Sequence, residues 1–525
     1  MHRLVVALTS LITLAGAAVV GGYLLLFEAS TDRAAAVVPA DTPLYLNIYL
    51  QPSAGQQMNL EALVSRLPGF ADTASFDEKV DQVMQNLFSA AEVDYLTDVK
   101  PWLGNQVAVA AAPAGADPAE ADALLVADVK DRPAAEAAMA EHASAGGAEP
   151  TTETYEGVEI VTVEAGAYAF VNELLVFGSG ADHLRGAVDA ARGAQPSLAD
   201  HAPFLEAMAA LPPDHLASGY VDVEALATAS DVPAQPSGFS VGSFVLVAEQ
   251  DALRIAGQAP FDAEAADAAM RDALAAMSAE PTVADWMPAG TQLSVGMFGV
   301  QAGLAAAEQA AEDAAEESPD AESLAETLDG IRGLAALGFG IDVDADLLSL
   351  LDGEVGLALG GITTDGSLPR AQLIVRPTDP DAAQASLDRV REQVEQRGVE
   401  TSEIEAAGTT IVTLMLPDLG EVSYAFLDGA VILGLTPDDV ALAVEARQNG
   451  DTLGATDVYR NTFAQSERHA GNELYVDVGS LVDSVAAGEE MPADVRDVVG
   501  ELGTLGLNTW SEADLIEFHA VLTVR

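Results

Sequence analysis

A chain of 525 residues, half of them hydrophobic, has the material for two or three domains with cores of ordinary size, which excludes a disordered polymer. Its 83 acidic residues face 22 basic ones, and the formal net charge of −61 leaves no basic stripe to neutralise phosphates, so no nucleic acid is expected as a partner. Cysteine is absent, which excludes disulfides, thiolate metal sites, a cysteine nucleophile and a lipid-modified cysteine anchor.

Met1-His2-Arg3 precedes an uncharged run from Leu4 to Phe27. As a helix these 24 residues span ~36 Å, enough for a hydrocarbon core of ~30 Å. The run reads as a single-pass membrane anchor, with a cytoplasmic N-terminus and the bulk of the chain extracytoplasmic. A cleaved signal peptide is the rival. Ala15-Gly16-Ala17 has the pattern of a cleavage site, and cleavage near Ala17 releases a secreted chain. The continuation of the run through Val19, Val20 and Tyr23 to Phe27 favours the anchor. Ala34 to Pro39 then reads as a short tether, so 1–35 is taken as stub, anchor and tether.

The chain repeats itself. Pro39-Ala-Asp-Thr-Pro-Leu-Tyr-Leu recurs as Pro288-Ala-Gly-Thr-Gln-Leu-Ser-Val at an offset of 249. Tyr168-Ala-Phe170 returns as Tyr424-Ala-Phe426 at 256, and Tyr220-Val-Asp-Val as Tyr475-Val-Asp-Val at 255. Constant order and spacing predict two tandem homologous modules, 36–262 and 286–525, joined by a linker helix over 263–285. Each copy opens on a strand, continues through a helical insert to two more strands, and then enters a helix capped by Asp131 or Asp379. Hairpins follow, turning at Asn172-Glu173 and at Asp428-Gly429, the latter a type I′ signal. A later strand ends at Asp222 or Asp477, each read as the N-cap of the helical turn after it. The fold class expected is α+β: an N-terminal transmembrane helix, then two modules that are each a mainly antiparallel sheet covered on one face by helices. The insert 301–330 of the second copy carries nine acidic and no basic residues and reads as a solvated helical pair.

Chemical motifs are weak. Gly238-Phe-Ser240-Val-Gly242 matches a nucleophile elbow, but Ser240 enters a strand where the elbow needs a helix start. Asp342-Val-Asp344-Ala-Asp346 alternates like a calcium loop, yet Leu347 stands where glycine is required and Gly353 where glutamate is. The seven histidines show no metal-ligand spacing. No catalytic, cofactor or metal residue is therefore assigned.

Asp98-Val-Lys-Pro101-Trp102-Leu103-Gly104, placed before an Ala/Val strand, resembles the bacterial family called domain of unknown function 3352, together with the opening Pro39-Ala-Asp-Thr strand and the element in which Gly178 precedes a helix. The resemblance implies one N-terminal membrane span and a large extracytoplasmic part. It implies no activity. Pro101 and Gly104 shape a turn, and Trp102 is expected to cap the core, with a weak peptide- or glycan-stacking surface at Pro101 and Trp102 as the alternative. The functional expectation is a non-enzymatic binding or scaffolding module of the cell envelope, engaging a protein or glycan. A carrier of an apolar ligand or lipid in a sheet–helix pocket is the alternative, and an unrecognised hydrolase the third.

A charge of −61 opposes compaction by self-repulsion, which salt screens. The denaturation midpoint is therefore expected to rise between low and molar salt, and a flat or falling midpoint refutes this.

Overall fold

The computed structural model describes residues 32–67, 93–112, 122–145, 149–164, 166–229, 238–266, 268–305, 340–361, 369–416, 420–464, 468–486 and 500–525, with isolated positions between them. The apolar run 4–27 and most of the acidic insert lie outside these residues. Among the described residues no helix is long and apolar enough to cross a membrane. Contacts divide the chain into two compact units, the first reaching Asp262 and the second beginning at Ala263.

In the first unit a 3₁₀ turn at Ala34–Val37 leads into β1 (Leu44–Tyr49) and α1 (Ala54–Val64). A π-helical turn at Tyr95–Val99 precedes β2 (Leu103–Ala112), β3 (Asp122–Val129) and α2 (Arg132–Ala145). Four strands follow, β4 (Thr151–Tyr155), β5 (Val158–Val163), β6 (Gly166–Val171) and β7 (Leu174–Gly178). Helices α3 (Ala181–Arg192) and α4 (Ala202–Ala209) come next, then β8 (Ala217–Asp222), α5 (Val223–Ala229), β9 (Val241–Ala248) and β10 (Ala252–Pro260). The strands form one antiparallel sheet in the order β10-β9-β8-β1-β2-β3-β7-β6-β5-β4.

The second unit opens with α6 (Ala268–Ala276), a 3₁₀ turn at Val283–Asp285 and β11 (Thr291–Phe298). After a π-helical turn at Val343–Leu347 come β12 (Glu354–Gly360), β13 (Arg370–Arg376) and α7 (Pro380–Gln396). Then follow β14 (Glu400–Ala406), β15 (Thr409–Leu416), β16 (Gly420–Leu427), β17 (Ala430–Gly434), α8 (Pro437–Asn449) and α9 (Asp457–Phe463). The unit closes with β18 (Asn472–Asp477), α10 (Val478–Ala486), β19 (Leu502–Glu512) and β20 (Leu515–Val524). Its order is β20-β19-β18-β11-β12-β13-β17-β16-β15-β14, again antiparallel at every register resolved. Strand for strand this is the order of the first unit. The chain is thus α+β, with antiparallel sheets covered by helices.

Three expectations change. First, helices cover both faces of the sheet. In the second unit Val440, Ala443 and Val444 of α8 pack with Ala358, Ile374 and Ile432 on one face. Ala383 and Leu387 of α7 pack with Val355, Val375 and Val431 on the other. Neighbouring residues of a strand point to opposite faces, so the alternation of these partners fixes the two sides. Second, the tether is core. Ala34, Ala35, Val37 and Val38 are at most 1% exposed, and the Asp32 carboxylate accepts the backbone amides of Ala34 and Ala35. Third, the linker belongs to the second unit. Leu274 of α6 is buried, and the carbonyls of Met277 and Ala279 accept the amides of Ser511 and Gly471.

The edge strands β4 and β14 escape a reading of apolar alternation. Each is joined to its neighbour by a two-residue turn with both φ positive, Glu156-Gly157 at 48° and 79° and Ala407-Gly408 at 47° and 79°. Asp428-Gly429, at 49° and 81°, makes the expected turn of the same kind.

Burial raises the phenols of Tyr45, Tyr49, Tyr220, Tyr459 and Tyr475, and neighbouring carboxylates add to the effect; Tyr220 is pushed up to about 12. A group raised in the fold contributes stability in full below its unfolded value near 10 and loses it as pH climbs. Alkaline titration is expected to show these phenolates appearing together with unfolding. Phenolate absorbance rising smoothly before any loss of secondary structure contradicts the assignment.

Candidate functional site

Antiparallel sheets that face water on one side alternate polar with apolar residues. The central strands of the second unit alternate in the inverted sense: polar residues such as Ser294, Gln372, Glu473 and Asn508 are buried, and the apolar residues between them are partly exposed. Cross-strand pairing sets Leu507, Leu474, Val295, Leu357 and Leu373 side by side in one row over β19, β18, β11, β12 and β13. A parallel row is Leu505, Val476, Leu293, Leu359 and Ala371. The first row continues through Leu433 into Tyr424, where α7 and the strands beneath it take over the packing. Short of that cover every member is partly exposed, Leu357 at 36%, and Met297, the next residue of β11 on this face, is 38% exposed. At ~4.8 Å per strand the rows extend over ~20 Å, the scale on which contiguous apolar surface marks an interaction site.

The first unit has a shorter row of the same kind, with an aromatic side chain in it. Phe244, Gly219, Leu46 and Val109 form the corresponding row, which continues into the buried pair Leu125 and Phe177. The Phe244 ring lies over Gly219, and a Cβ on that glycine would come within 2.3 Å of it. An apolar row is kept across a strand that has no side chain there.

The opposite face carries buried polar clusters. In the first unit Asp32 accepts Tyr45 Oη at 2.8 Å and Gln106 Nε2 at 3.2 Å, and burial raises its carboxyl above the ordinary range. Arg33 pairs with Asp128 at 2.7 Å and with Glu173 at 2.8 Å. In the second unit the buried Glu473 accepts Tyr459 Oη at 2.7 Å and lies 2.9 Å from His469 Nε2, whose ring stacks on Phe463. These groups bind one another and hold elements together, although Glu473 Oε1 is buried with no hydrogen-bond partner.

The residues singled out from the sequence scatter. Pro101 is exposed, but Trp102 is 1% exposed and donates Nε1 to the Asp98 carbonyl, so the indole offers no open face for stacking a peptide or glycan. Ser240 is exposed immediately before β9, a strand and not a helix start. Asp342 caps Ala345, Asp344 pairs with Arg332 at 2.9 Å, and the buried Asp346 binds the Asp342 amide and Arg389. The three carboxylates therefore point to three different partners. Asp222 and Asp477 cap the helices that follow them, through the amides of Ala225 and Ser480. Among the described residues no group of three or more His, Asp and Glu side chains is placed to hold a metal ion. The apolar rows escape notice in the sequence because each strand contributes only two or three residues to them.

No curated protein matches the chain closely enough to count as a relative. Among solved structures the chain is similar to one described as "Structure of crystal form III of TP0453", at 12% identity and a TM-score of 0.25, over 45% of this chain and 82% of that one. A form IV structure of the same protein matches at 14% identity and a TM-score of 0.23, over 44% and 81%. The resemblance carried by Pro101-Trp102-Leu103-Gly104 holds: the model of the family described as "Protein of unknown function (DUF3352)" matches residues 4–522, and the chain belongs to that family.

Proposed function

We propose that this chain is a non-enzymatic binding module of the bacterial cell envelope, made of two tandem homologous units and held to the membrane by the apolar run 4–27. Its bulk lies outside the cytoplasm; cleavage near Ala17 would instead release it. The shared strand order of the two units supports the duplication already visible in the sequence. The observation that carries the function is the pair of leucine and valine rows across β19, β18, β11, β12 and β13. Solvent contact of such a surface is unfavourable by roughly 25 cal/mol per Å², so an apolar surface of another envelope protein gains by docking there. The surface is neutral, and a partner reaches it without burying an unpaired charge.

The same rows favour a second reading, the carrier of an apolar ligand or lipid, because an acyl chain laid along them satisfies the same physics.

A photoreactive residue at Leu357 in the full chain, expressed in cells and followed by mass spectrometry, separates these readings. Val458, exposed on α9, is the control position. Capture of a discrete protein from position 357 and not from 458 is the expected result. Lipid adducts at 357 move the assignment to the carrier, and equal labelling at both positions overturns it. Leu357→Asp is expected to abolish capture while changing stability by only about 1 kcal/mol, as for a substitution on an exposed strand position.

A further inference from the structure

The second unit contains a cleft of about 220 Å³ on the sheet face covered by α8, away from the apolar rows. Its floor is Gln372 of β13, which is buried and donates its amide to the Asp439 carbonyl. One wall is a stripe of α8, in which Leu442, Glu445 and Asn449 recur at helical spacing. The other wall is the turn at Gly290, held to the helix end by the Ala289 amide donating to the Asp451 carbonyl at 3.1 Å. Arg370, at the start of β13, is exposed at the rim.

The charges of this cleft are not used up by the fold. Arg370, Glu445 and Asp451 line it together, and none of them makes an ion pair with a described residue. In this Arg370 differs from most described arginines, for example Arg332, Arg376, Arg389, Arg391 and Arg447, which each have a carboxylate beside them. Arg370 thus has no ion-pair partner among the described residues, in a chain with 83 acidic residues.

We propose that this cleft binds a small zwitterion, its anionic group on Arg370 and its ammonium group on Glu445 and Asp451. A plain anion has to enter a field of net charge −61 for one favourable contact, and a plain cation gains as much anywhere on the surface. A molecule bearing both charges has no net charge to be repelled, and it is the one that profits from this arrangement. A cleft of about 220 Å³ admits a molecule of the size of an amino acid or dipeptide. The site is independent of the function proposed above, since it uses the other side of the sheet.

Titration calorimetry of the full chain in detergent at low salt, with glycylglycine as probe, tests this. Saturable binding is expected, with acetate and methylammonium each at least tenfold weaker. Arg370→Gln and Glu445→Gln, both at exposed positions, are each expected to weaken glycylglycine binding at least tenfold with an unchanged thermal midpoint. Absence of saturable heat overturns the proposal. So does methylammonium binding as tightly as glycylglycine, which would mark a diffuse acidic surface, or retention of full affinity by Arg370→Gln.

Discussion

The constraint on which each unit depends is that its first strand lies inside the sheet. Tyr45 of β1 is paired with Ala110 of β2 on one side and with Tyr220 of β8 on the other, although β8 follows it by more than 150 residues in the chain. A strand paired on both edges, with Tyr45 buried on one face, needs its cover brought from distant sequence. Almost everything else in the unit supplies that cover. Phe204 of α4 meets Tyr45 edge-on at 5.7 Å and Tyr220 at 5.3 Å. The Ala34–Val37 turn closes the same face, and Asp32 ties it to the Tyr45 hydroxyl. Since a pairing of such sequence separation forms only after a long loop closes, folding of this topology is slow by nature.

The two units meet that constraint with different chemistry at matched places. In the first, Asn47 of β1 faces Ser218 of β8; in the second, Gly296 of β11 faces Glu473 of β18. A Cβ on Gly296 would lie 2.9 Å from Glu473 Cγ, so the longer carboxylate fits because its neighbour has no side chain. The phenol moves in the same sense. The first unit takes its carboxylate-bound tyrosine from β1 as Tyr45, with an apolar Phe204 on the helix. In the second the helix supplies it as Tyr459, and the strand position of Tyr45 is held by Ser294. One buried phenol–carboxylate pair is kept while both members change address.

How much of this could be read from the sequence follows from what each residue can report alone. Val and Leu alternation marked most strands, and Asp131, Asp379, Asp222 and Asp477 announced their helices because capping is local. The strands β4 and β14, reading Thr-Thr-Glu-Thr-Tyr and Glu-Thr-Ser-Glu-Ile-Glu-Ala, lack an apolar face, and only the Gly157 and Gly408 turns betrayed them. Ala34 to Val38 looked like a tether because alanine is equally at home in solvent and in a core. Asp342, Asp344 and Asp346 looked like cation ligands, whereas Asp342 and Asp346 serve a π-helical turn as Asp94 and Asp98 do in the first unit. The candidate face was legible least of all. Whether Val295 and Leu357 adjoin depends on register, and whether they stay uncovered depends on where α7 ends its packing.

The edges of the sheets bear on how such a face is used. An uncapped strand edge invites another strand to add to it, whereas polar residues and carboxylates discourage that pairing. The outermost strand β14 carries Glu400, Glu403 and Glu405, all exposed, and β4 in the first unit is nearly all threonine and glutamate. Recognition by strand addition requires an accessible edge with pockets for alternate side chains. Here the edge is made unattractive and the broad face is left apolar. On the proposed reading a partner docks on the surface of the sheet and not at its border, with discrimination resting on shape and apolar area instead of backbone hydrogen bonds.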